Sequence, residues 1–246
     1  CDSQLGKVLD MMDKYNLWDD TMLIVNTDHG YMLGEHQYWA KNYMPLYNEI
    51  VNIPLFIWDP RCRKSGERRQ SLVQTIDLPV TILEFFNVPC TKDMQGKSLK
   101  GVISDDTPVR DAALFGVFGA YVCCTDGRYV FMKAPARAEN APLYEYTLMP
   151  THMAWFFTQQ ELKTITLSEP FSFTKGIPLL KIEAKGDKSS FNYGDLLFDL
   201  KEDPKQEKNI QNPALKEEMT RKMIRLMKEN DAPKEQYIRL GLDNLS

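Results

Sequence analysis

The sequence predicts an α/β fold, with a mostly parallel sheet domain in residues 1–110 and a small antiparallel α+β subdomain in residues 111–246. Two observations lead to this prediction. Apolar residues at helical spacing over 3–15 are followed at once by an apolar, strand-like run at 22–27, which is half of a βαβ unit and favours parallel sheets. Beyond a polar stretch at 104–110 the apolar runs are short and closely connected, which favours antiparallel pairing.

The elements of the first part follow from local signals. The helix over 3–15 can be capped by Asp2 or Ser3. A second short apolar strand is expected at 53–58, and it ends at an Asp-Pro turn signal. The basic stretch at 61–69 is interpreted as an exposed loop, since no aromatic residue is interleaved for stacking on nucleic-acid bases.

A further helix is expected from Asp77 to Phe86. Asp77 is its expected cap, and Pro79 lies in its first turn, where a missing backbone N–H is tolerated. The following Asn-Val-Pro sequence ends the helix.

The second part is predicted to contain four short strands and a terminal helix. The Asp126-Gly127 pair is a hairpin signal between two of the strands. Residues 134–192 are expected to form long loops with one or two short helices around 151–163, and the tail from Asp231 is expected on the surface. The expected strands lie at 112–118, 120–125, 128–133 and 194–200, and the last helix starts at an Asn212 cap and has Leu215, Met219, Met223 and Met227 on one face.

Composition narrows the class of protein. The chain is 43% hydrophobic and 26% charged, which is typical of a soluble globular protein. Its net charge of −4 gives no overall attraction to nucleic acid, and no apolar run approaches the ~18–20 residues that span a bilayer. The five cysteines are irregularly spaced, so we expect free thiols rather than a disulfide framework or a zinc site.

The start of the chain is unusual. There is no initiator Met, and helical spacing begins almost at once, so we expect the chain to be the C-terminal part of a longer protein. Any signal peptide would then precede Cys1, and the sequence does not predict a compartment.

The most informative motif is Thr27-Asp28-His29-Gly30, which directly follows the first predicted strand. Ligand sites in open α/β sheets lie at such strand ends, and a carboxylate beside an imidazole can reach one divalent cation. Asp28 offers oxygens to a hard cation, although a turn-forming carboxylate is the alternative. An imidazole is unusual for calcium, so His29 is predicted either to contact the metal or to orient a nucleophile, and a structural histidine is the alternative.

Two cationic candidates follow the motif. His36 is expected to donate to an anion or a leaving group, and a loop histidine bonded to backbone is the alternative. Lys41 supplies a compact ammonium for an anion on the metal, and a solvent-facing lysine is the alternative.

The ordered series of motifs resembles the second half of a type I sulfatase, and the iduronate-sulfatase-like branch in particular. Later segments are similar to the family too, including the Asp-Leu-Leu-Phe-Asp-Leu strand at 195–200, although Gln206 stands where the family pattern has Glu. The segments that carry the resemblance in the first part are Thr27–Gly30, Gly34–His36, Trp39–Lys41, Tyr47–Glu49 and Ile53–Leu55.

The resemblance implies an alkaline-phosphatase-like fold and hydrolysis of sulfate monoesters at a calcium site, or at another divalent metal. It implies that Asp28 and His29 lie at the metal, that Lys41 contacts the sulfate, and that a formylglycine made from the Cys of a Cys-x-Pro-x-Arg motif is the nucleophile. Neither Cys62 nor Cys1 has that sequence context. The nucleophile and half of the metal ligands are therefore expected outside these 246 residues, and the chain alone is predicted to be inactive.

Other functional possibilities remain open from the sequence. One is a phosphonate monoester or phosphodiester hydrolase of the same superfamily, and another is a catalytically silent fragment or interaction module. The expected substrate of the complete enzyme is a sulfated small molecule or sugar, and His152 is a further candidate for its pocket. Core surface left exposed without the missing half is expected to cause self-association.

Overall fold

The computed structural model describes residues 1–41, 44–149, 151–152, 155–186 and 189–245. The helices are α1 (Asp2–Lys14), α2 (Asn48–Val51), α3 (Asp77–Phe85), α4 (Lys100–Asp105), α5 (Gln159–Leu162), α6 (Ser189–Tyr193), α7 (Pro213–Glu229) and α8 (Lys234–Leu240). The strands are β1 (Leu23–Asn26), β2 (Met32–Leu33), β3 (Trp39–Ala40), β4 (Leu55–Trp58), β5 (Ala113–Gly116), β6 (Val122–Thr125), β7 (Tyr129–Lys133), β8 (Tyr144–Thr147), β9 (Thr166–Ser168), β10 (Leu179–Glu183) and β11 (Leu196–Asp199). The α/β class predicted from the sequence is confirmed.

The first helix confirms the predicted span but not the predicted cap. Helix α1 begins one residue earlier, with Cys1 at the cap position and no side-chain hydrogen bond there. Asp2 lies inside the first turn, where a negative charge is favoured by the helix dipole even without capping.

The pairing of the two strands nearest the motif differs from the predicted parallel sheet. Strands β1 and β4 pair antiparallel, with Leu23 opposite Trp58 and Asn26 opposite Leu55. A parallel partner would need a long crossover that returns the chain to the starting edge. The segment between these strands instead holds a small β2–β3 hairpin and the four-residue helix α2, and the chain runs back in the opposite direction.

The four strands predicted in the second part are confirmed, and they form one antiparallel sheet in the order β11-β7-β6-β5. The turn between β6 and β7 is the predicted Asp-Gly hairpin, and Gly127 adopts φ 91°, a conformation that glycine accepts without steric cost. The Asp126 carboxylate accepts hydrogen bonds from the amides of Arg128 and Tyr129, which closes the turn.

The two faces of this sheet pack against different parts of the chain. Alternate residues of a strand point to opposite faces. On one face Cys124, Phe131 and Leu197 pack against α7 and α8. On the other face Cys123, Val130, Met132 and Phe198 pack against the segment that follows the Asp-His-Gly motif, through Met32, Met44, Leu46 and Ile50.

One hydrophobic core therefore crosses the predicted domain boundary at 110/111. The candidate site segment rests on the four-stranded sheet as part of this core. The division of the chain at that boundary stays a prediction.

The C-terminal helix agrees with the prediction, and the tail beyond it does not. The Asn212 side chain accepts a hydrogen bond from the Leu215 amide, and Met219, Met223 and Met227 are buried. The tail predicted to lie on the surface instead forms α8, whose Tyr237, Arg239 and Leu240 are buried. Arg239 donates to the carbonyl of Ala120 and to Asn140, so its polar group is satisfied inside, and burial lowers the pKa of Arg239 to about 10.

The region 134–192 has more regular structure than predicted. Besides the short helix α5, which confirms the prediction for 151–163, it contains a three-stranded antiparallel sheet in the order β8-β10-β9. Its strands have mostly half-buried residues, so their sequences lack the strong alternation that would have indicated strands.

Helix α3 is confirmed, but the predicted capping role of Asp77 is wrong. The Asp77 side chain is fully buried and accepts two hydrogen bonds from Arg110, at 2.5 and 2.6 Å. It also accepts from the backbone amides of Gln74 and Lys97. A buried carboxylate needs such partners, and two of them, Lys97 and Arg110, come from distant parts of the chain.

The five cysteines are free thiols, as predicted. Among the described residues, none of the helices combines the length and the apolar character that crossing a bilayer requires.

Candidate functional site

The candidate site begins at the end of β1, where Asp28 follows Asn26 and Thr27. The Asp28 side chain is exposed and accepts hydrogen bonds from its neighbours, the His29 amide at 2.9 Å and the Thr27 hydroxyl at 3.2 Å. The hydrogen bond from the His29 amide is the main reason why the pKa of Asp28 lies below its usual range. Asp28 therefore forms the local turn contacts of the structural alternative. Its carboxylate is also ionised and accessible, as a metal ligand has to be.

The imidazole of His29 is held in one orientation by backbone. Its Nδ1 lies 2.9 Å from the carbonyl oxygen of Gly30. Because a carbonyl oxygen only accepts, Nδ1 carries the proton, which leaves Nε2 as the ring nitrogen that can accept. Asp28 Oδ2 lies 3.2 Å from this Nε2, so the carboxylate and the lone pair meet at one point.

Lys41 reaches the same point from the other side of the loop. Its ammonium group is hydrogen-bonded to Nε2 of His29. Lys41 follows strand β3, which pairs with β2 and brings the chain back toward the motif. Ala40, directly before it, has φ 138°, a strained conformation for a residue with a Cβ. The structure thus brings together Asp28, His29 and Lys41, which lie within thirteen positions of each other in the motif segment.

His36 lies in the hairpin loop between β2 and β3 and has a different neighbour. Its ring stacks on Tyr47, with ring centroids 3.7 Å apart and an angle of 3° between the planes. Tyr47 packs in turn against Phe198 of β11, and burial raises the pKa of the Tyr47 hydroxyl. His36 itself has φ 50°. The ring of His36 is therefore fixed by stacking on Tyr47.

Glu35 orders the same loop. Its carboxylate accepts a 2.6 Å hydrogen bond from the Leu33 amide, and this bond is the main cause of a lowered Glu35 pKa. Gly34 enters the loop with φ 122°.

Gly30 is required by a close approach of two backbone segments. Its amide donates a 2.8 Å hydrogen bond to the carbonyl of Ile50. A Cβ at this position would lie 1.6 Å from the carbonyl oxygen of Glu49. The glycine of the motif therefore lets the site loop lie directly on helix α2.

Sequence reasoning missed the residue that holds α2 from the other side. The Gln206 carboxamide oxygen accepts a 2.6 Å hydrogen bond from the Asn48 amide at the start of α2. Gln206 is only 2% exposed and adopts φ 55°. The one sequence signal was its departure from the Glu of the family pattern, which carries no information about location.

His152 is held apart from this group of contacts. Its two ring nitrogens lie 3.2 Å from Glu145 on β8 and 3.0 Å from Glu161 on α5, and its ring packs on Phe157. These contacts suit a structural histidine that joins β8 to α5. A pocket role for His152 stays a prediction.

The donors in the motif suit part of a cation site. Asp28 offers an exposed carboxylate and His29 a lone pair, and the two atoms are close enough to bind one ion. Within the ranges that the structure describes, no group of three or more His, Cys, Asp or Glu side chains is arranged to hold a metal. Calcium prefers about six to eight oxygens, so a complete shell needs ligands from elsewhere.

Comparison with known proteins identifies similar sequences and folds. Residues 1–88 match the family model described as Sulfatase. An N-acetylglucosamine-6-O-sulfatase of Bacteroides thetaiotaomicron is 32% identical over 105 residues, which covers 43% of this chain and 18% of the relative.

Two solved structures illustrate the likeness of the fold. A protein solved in complex with its substrate D-glucosamine-2-N,6-O-disulfate has a TM-score of 0.59 and 21% identity, covering 93% of this chain and 37% of that one. The phosphonate monoester hydrolase of Silicibacter pomeroyi has a TM-score of 0.60 and 18% identity, covering 93% of this chain and 39% of that one. These likenesses establish the alkaline-phosphatase-like fold. The chain spans less than half the length of these proteins.

Proposed function

We propose that this chain, whose residues 1–88 match the Sulfatase family model, is the C-terminal part of an enzyme that hydrolyses sulfate monoesters. The observation that carries the proposal is the convergence of Asp28 and Lys41 on Nε2 of His29. A carboxylate and an imidazole suit a cation, and an ammonium suits an anion beside it. A site for sulfate esters has to bind a metal cation and the negatively charged sulfate group side by side.

Asp28 and His29 are proposed to supply two ligands to a divalent metal ion, calcium or another, whose remaining ligands come from sequence outside this chain. The ion would polarise the ester and lower the pKa of a nucleophile. The orientation of His29 supports this role, because the hydrogen bond from Nδ1 to Gly30 leaves Nε2 as the ligating atom.

Lys41 is proposed to bind the sulfate oxygens. These oxygens gain negative charge as the bond between sulfur and the leaving oxygen breaks, and a fixed ammonium stabilises that charge. His36 is proposed to donate to a sulfate oxygen or to the leaving-group oxygen. Its stack on Tyr47 supports the proposal, since a ring that is already fixed loses little freedom when substrate binds.

The nucleophile is proposed to be a formylglycine in a part of the protein outside these 246 residues. No Cys in the chain is followed by x-Pro-x-Arg. The chain by itself is therefore expected to show no sulfatase turnover.

The proposed substrate class is a sulfated sugar or another sulfated small molecule. A structural neighbour that holds a disulfated glucosamine supports this class, although at 21% identity the likeness establishes the fold alone.

A phosphonate monoester or phosphodiester hydrolase is the second candidate. It is favoured by an equally good structural match to a phosphonate monoester hydrolase. The Lys41 ammonium beside a cation would also bind a phosphoryl oxygen. The side chains of Asp28, His29 and Lys41 therefore suit the hydrolysis of sulfate esters and of phosphonate esters. A third candidate, a silent module that only binds partners, would need none of these contacts.

The experiment that separates the candidates is a paired assay of the complete protein that contains this chain. Turnover of 4-nitrophenyl sulfate at a rate well above that of 4-nitrophenyl phenylphosphonate is the expected result. The reverse preference would favour the second candidate. No turnover of either ester by metal-loaded protein with its upstream sequence intact would favour the silent module.

A further inference from the structure

Three unfavourable features coincide at Gln206. It is a polar side chain with 2% exposure, its backbone has φ 55°, and, within the part of the chain that the structure describes, its side-chain nitrogen has no hydrogen-bond partner. A buried polar atom without a partner costs about 1–3 kcal/mol. Backbone strain and an unmet hydrogen bond at one residue both destabilise the fold. Their presence together at Gln206 indicates that the residue has a specific function.

The contacts of Gln206 lead directly to the candidate site. Its side-chain oxygen accepts from the Asn48 amide, 158 residues earlier in the chain. Asn48 begins α2, and the Ile50 carbonyl of this helix accepts the Gly30 amide at 2.8 Å. Gly30 in turn offers its carbonyl to His29 Nδ1. Each step is one hydrogen bond or one turn of helix.

The close packing around Gly30 leaves little room for movement between the site loop and α2. The site loop lies so close to α2 that a single added Cβ would be 1.6 Å from the Glu49 carbonyl. A small shift of α2 must therefore move Gly30, and with it the acceptor that orients the imidazole of His29. Packed contacts of this kind transmit displacement rather than absorb it.

A second unmet group lies on the same helix. Oε2 of Glu49, the residue after Asn48, is buried and has no hydrogen-bond partner within the described ranges. The Asn48–Gln206 hydrogen bond therefore lies next to both of these unmet polar atoms, Nε2 of Gln206 and Oε2 of Glu49.

We infer that Gln206 is a positioning residue, which sets the place of α2 through the Asn48 amide and thereby holds Gly30 and the imidazole of His29 in the orientation that the site uses. Gln206 does not touch the reacting atoms. It lies after β11, so this contact makes the C-terminal part of the chain a determinant of the geometry at the end of β1.

The test compares four variants of the complete protein. Gln206→Met keeps the size of the side chain and removes the acceptor. Gln206→Glu keeps an oxygen that accepts from the Asn48 amide. Asn48→Pro removes the same hydrogen bond from the donor side, at a first helical position where proline is tolerated. Asn209→Ala is the control, because Asn209 lies in the same loop but its side chain bonds the backbone of Leu197 and Asp195.

The first measurement is amide hydrogen exchange, which does not depend on enzyme activity. Exchange at Gly30 is expected to rise about tenfold in Gln206→Met and in Asn48→Pro, because loss of one hydrogen bond weakens local protection by about that factor. It is expected to stay near the wild-type rate in Gln206→Glu and Asn209→Ala. Wild-type protection of Gly30 in both Gln206→Met and Asn48→Pro would overturn the inference.

The second measurement, turnover of 4-nitrophenyl sulfate, rests on the proposed function. We expect kcat to fall about tenfold in Gln206→Met with a smaller change in KM, to recover in Gln206→Glu, and to stay within about twofold in Asn209→Ala. If Gln206→Met and Asn209→Ala both lost kcat in proportion to their loss of melting temperature, the positioning role would be overturned. A wild-type protein without sulfate turnover would refute the proposed function, while the exchange rates would still decide the inference.

Discussion

The ammonium group of Lys41 is hydrogen-bonded to Nε2 of His29, the atom that also lies 3.2 Å from the Asp28 carboxylate. Two residues that are twelve positions apart therefore meet through the antiparallel β2–β3 hairpin. The contact brings an ammonium group to a carboxylate and an imidazole, and it is the geometric basis for the proposed function.

Gly30→Ala is expected to destabilise the protein by about 2–4 kcal/mol, because the new Cβ would overlap the Glu49 carbonyl and force two backbone segments apart. Chemical denaturation measures the loss. Gly6→Ala is the matched control: nothing lies within 4 Å of a Cβ at Gly6, inside helix α1. This control is expected to gain about 0.5–1 kcal/mol from helix propensity. Equal stability of Gly30→Ala and wild type would contradict the packing of the motif on α2.

The buried pair of Asp77 and Arg110 is expected to give stability that disappears in acid. Burial alone would raise the pKa of Asp77, but the Arg110 guanidinium and two backbone amides outweigh it, so the pKa of Asp77 lies below its ordinary value of 3.8. A carboxyl group with a lowered pKa stabilises the fold above pH 3.8, and this contribution is lost as the pH falls through the folded-state pKa.

Thermal melts of Asp77→Asn and wild type between pH 7 and pH 2 test this expectation. The variant should lose about 3 kcal/mol at neutral pH, and the difference should shrink below pH 3.8. Asp111→Asn, which breaks the exposed pair with Arg225, should cost less than about 1 kcal/mol. A difference between Asp77→Asn and wild type that is the same at every pH would argue against the ionised pair.

Calcium is expected to bind the 246-residue chain weakly, with a Kd no tighter than about 1 mM, because two donor side chains cannot replace the about six to eight oxygens that the ion prefers. Titration calorimetry measures the affinity. A micromolar Kd that Asp28→Asn abolishes would mean that the chain already holds a nearly complete site.

Self-association of the chain is expected through the small β1–β4 sheet. Among the described residues neither strand pairs with a further strand, and Phe56 on β4 is 66% exposed. Sedimentation should show association that rises with concentration and weakens in Phe56→Lys. Phe86→Lys is the control, since Phe86 is also 66% exposed but lies at the end of α3. A monomer at every concentration would contradict this expectation.

Features that depend on neighbours in sequence were predictable. The Asp126-Gly127 hairpin and the methionine face of α7 follow from turn chemistry and from helical period, and both are confirmed. The local motif also predicted that Asp28, His29 and Lys41 would lie together, and their side chains are in contact; their functional roles stay a prediction.

Features that depend on distant partners were not predictable. Asp77 matches a helix cap locally, but Arg110, 33 residues later, determines its role. The direction of β4 depends on the structure of the connection after β1. The burial of α8 depends on its packing against α7 and the four-stranded sheet. The contact of Gln206 with Asn48 has no local sequence signal, since the two residues are 158 positions apart.

The most direct test of the central claim is the rate of 4-nitrophenyl sulfate hydrolysis by the complete protein with Lys41→Ala. We expect kcat/KM to fall at least about 100-fold, as for removal of one group that stabilises developing charge. Lys7→Ala, which removes an exposed lysine of α1, should leave the rate unchanged. Sulfate hydrolysis at the wild-type rate in Lys41→Ala would contradict the account.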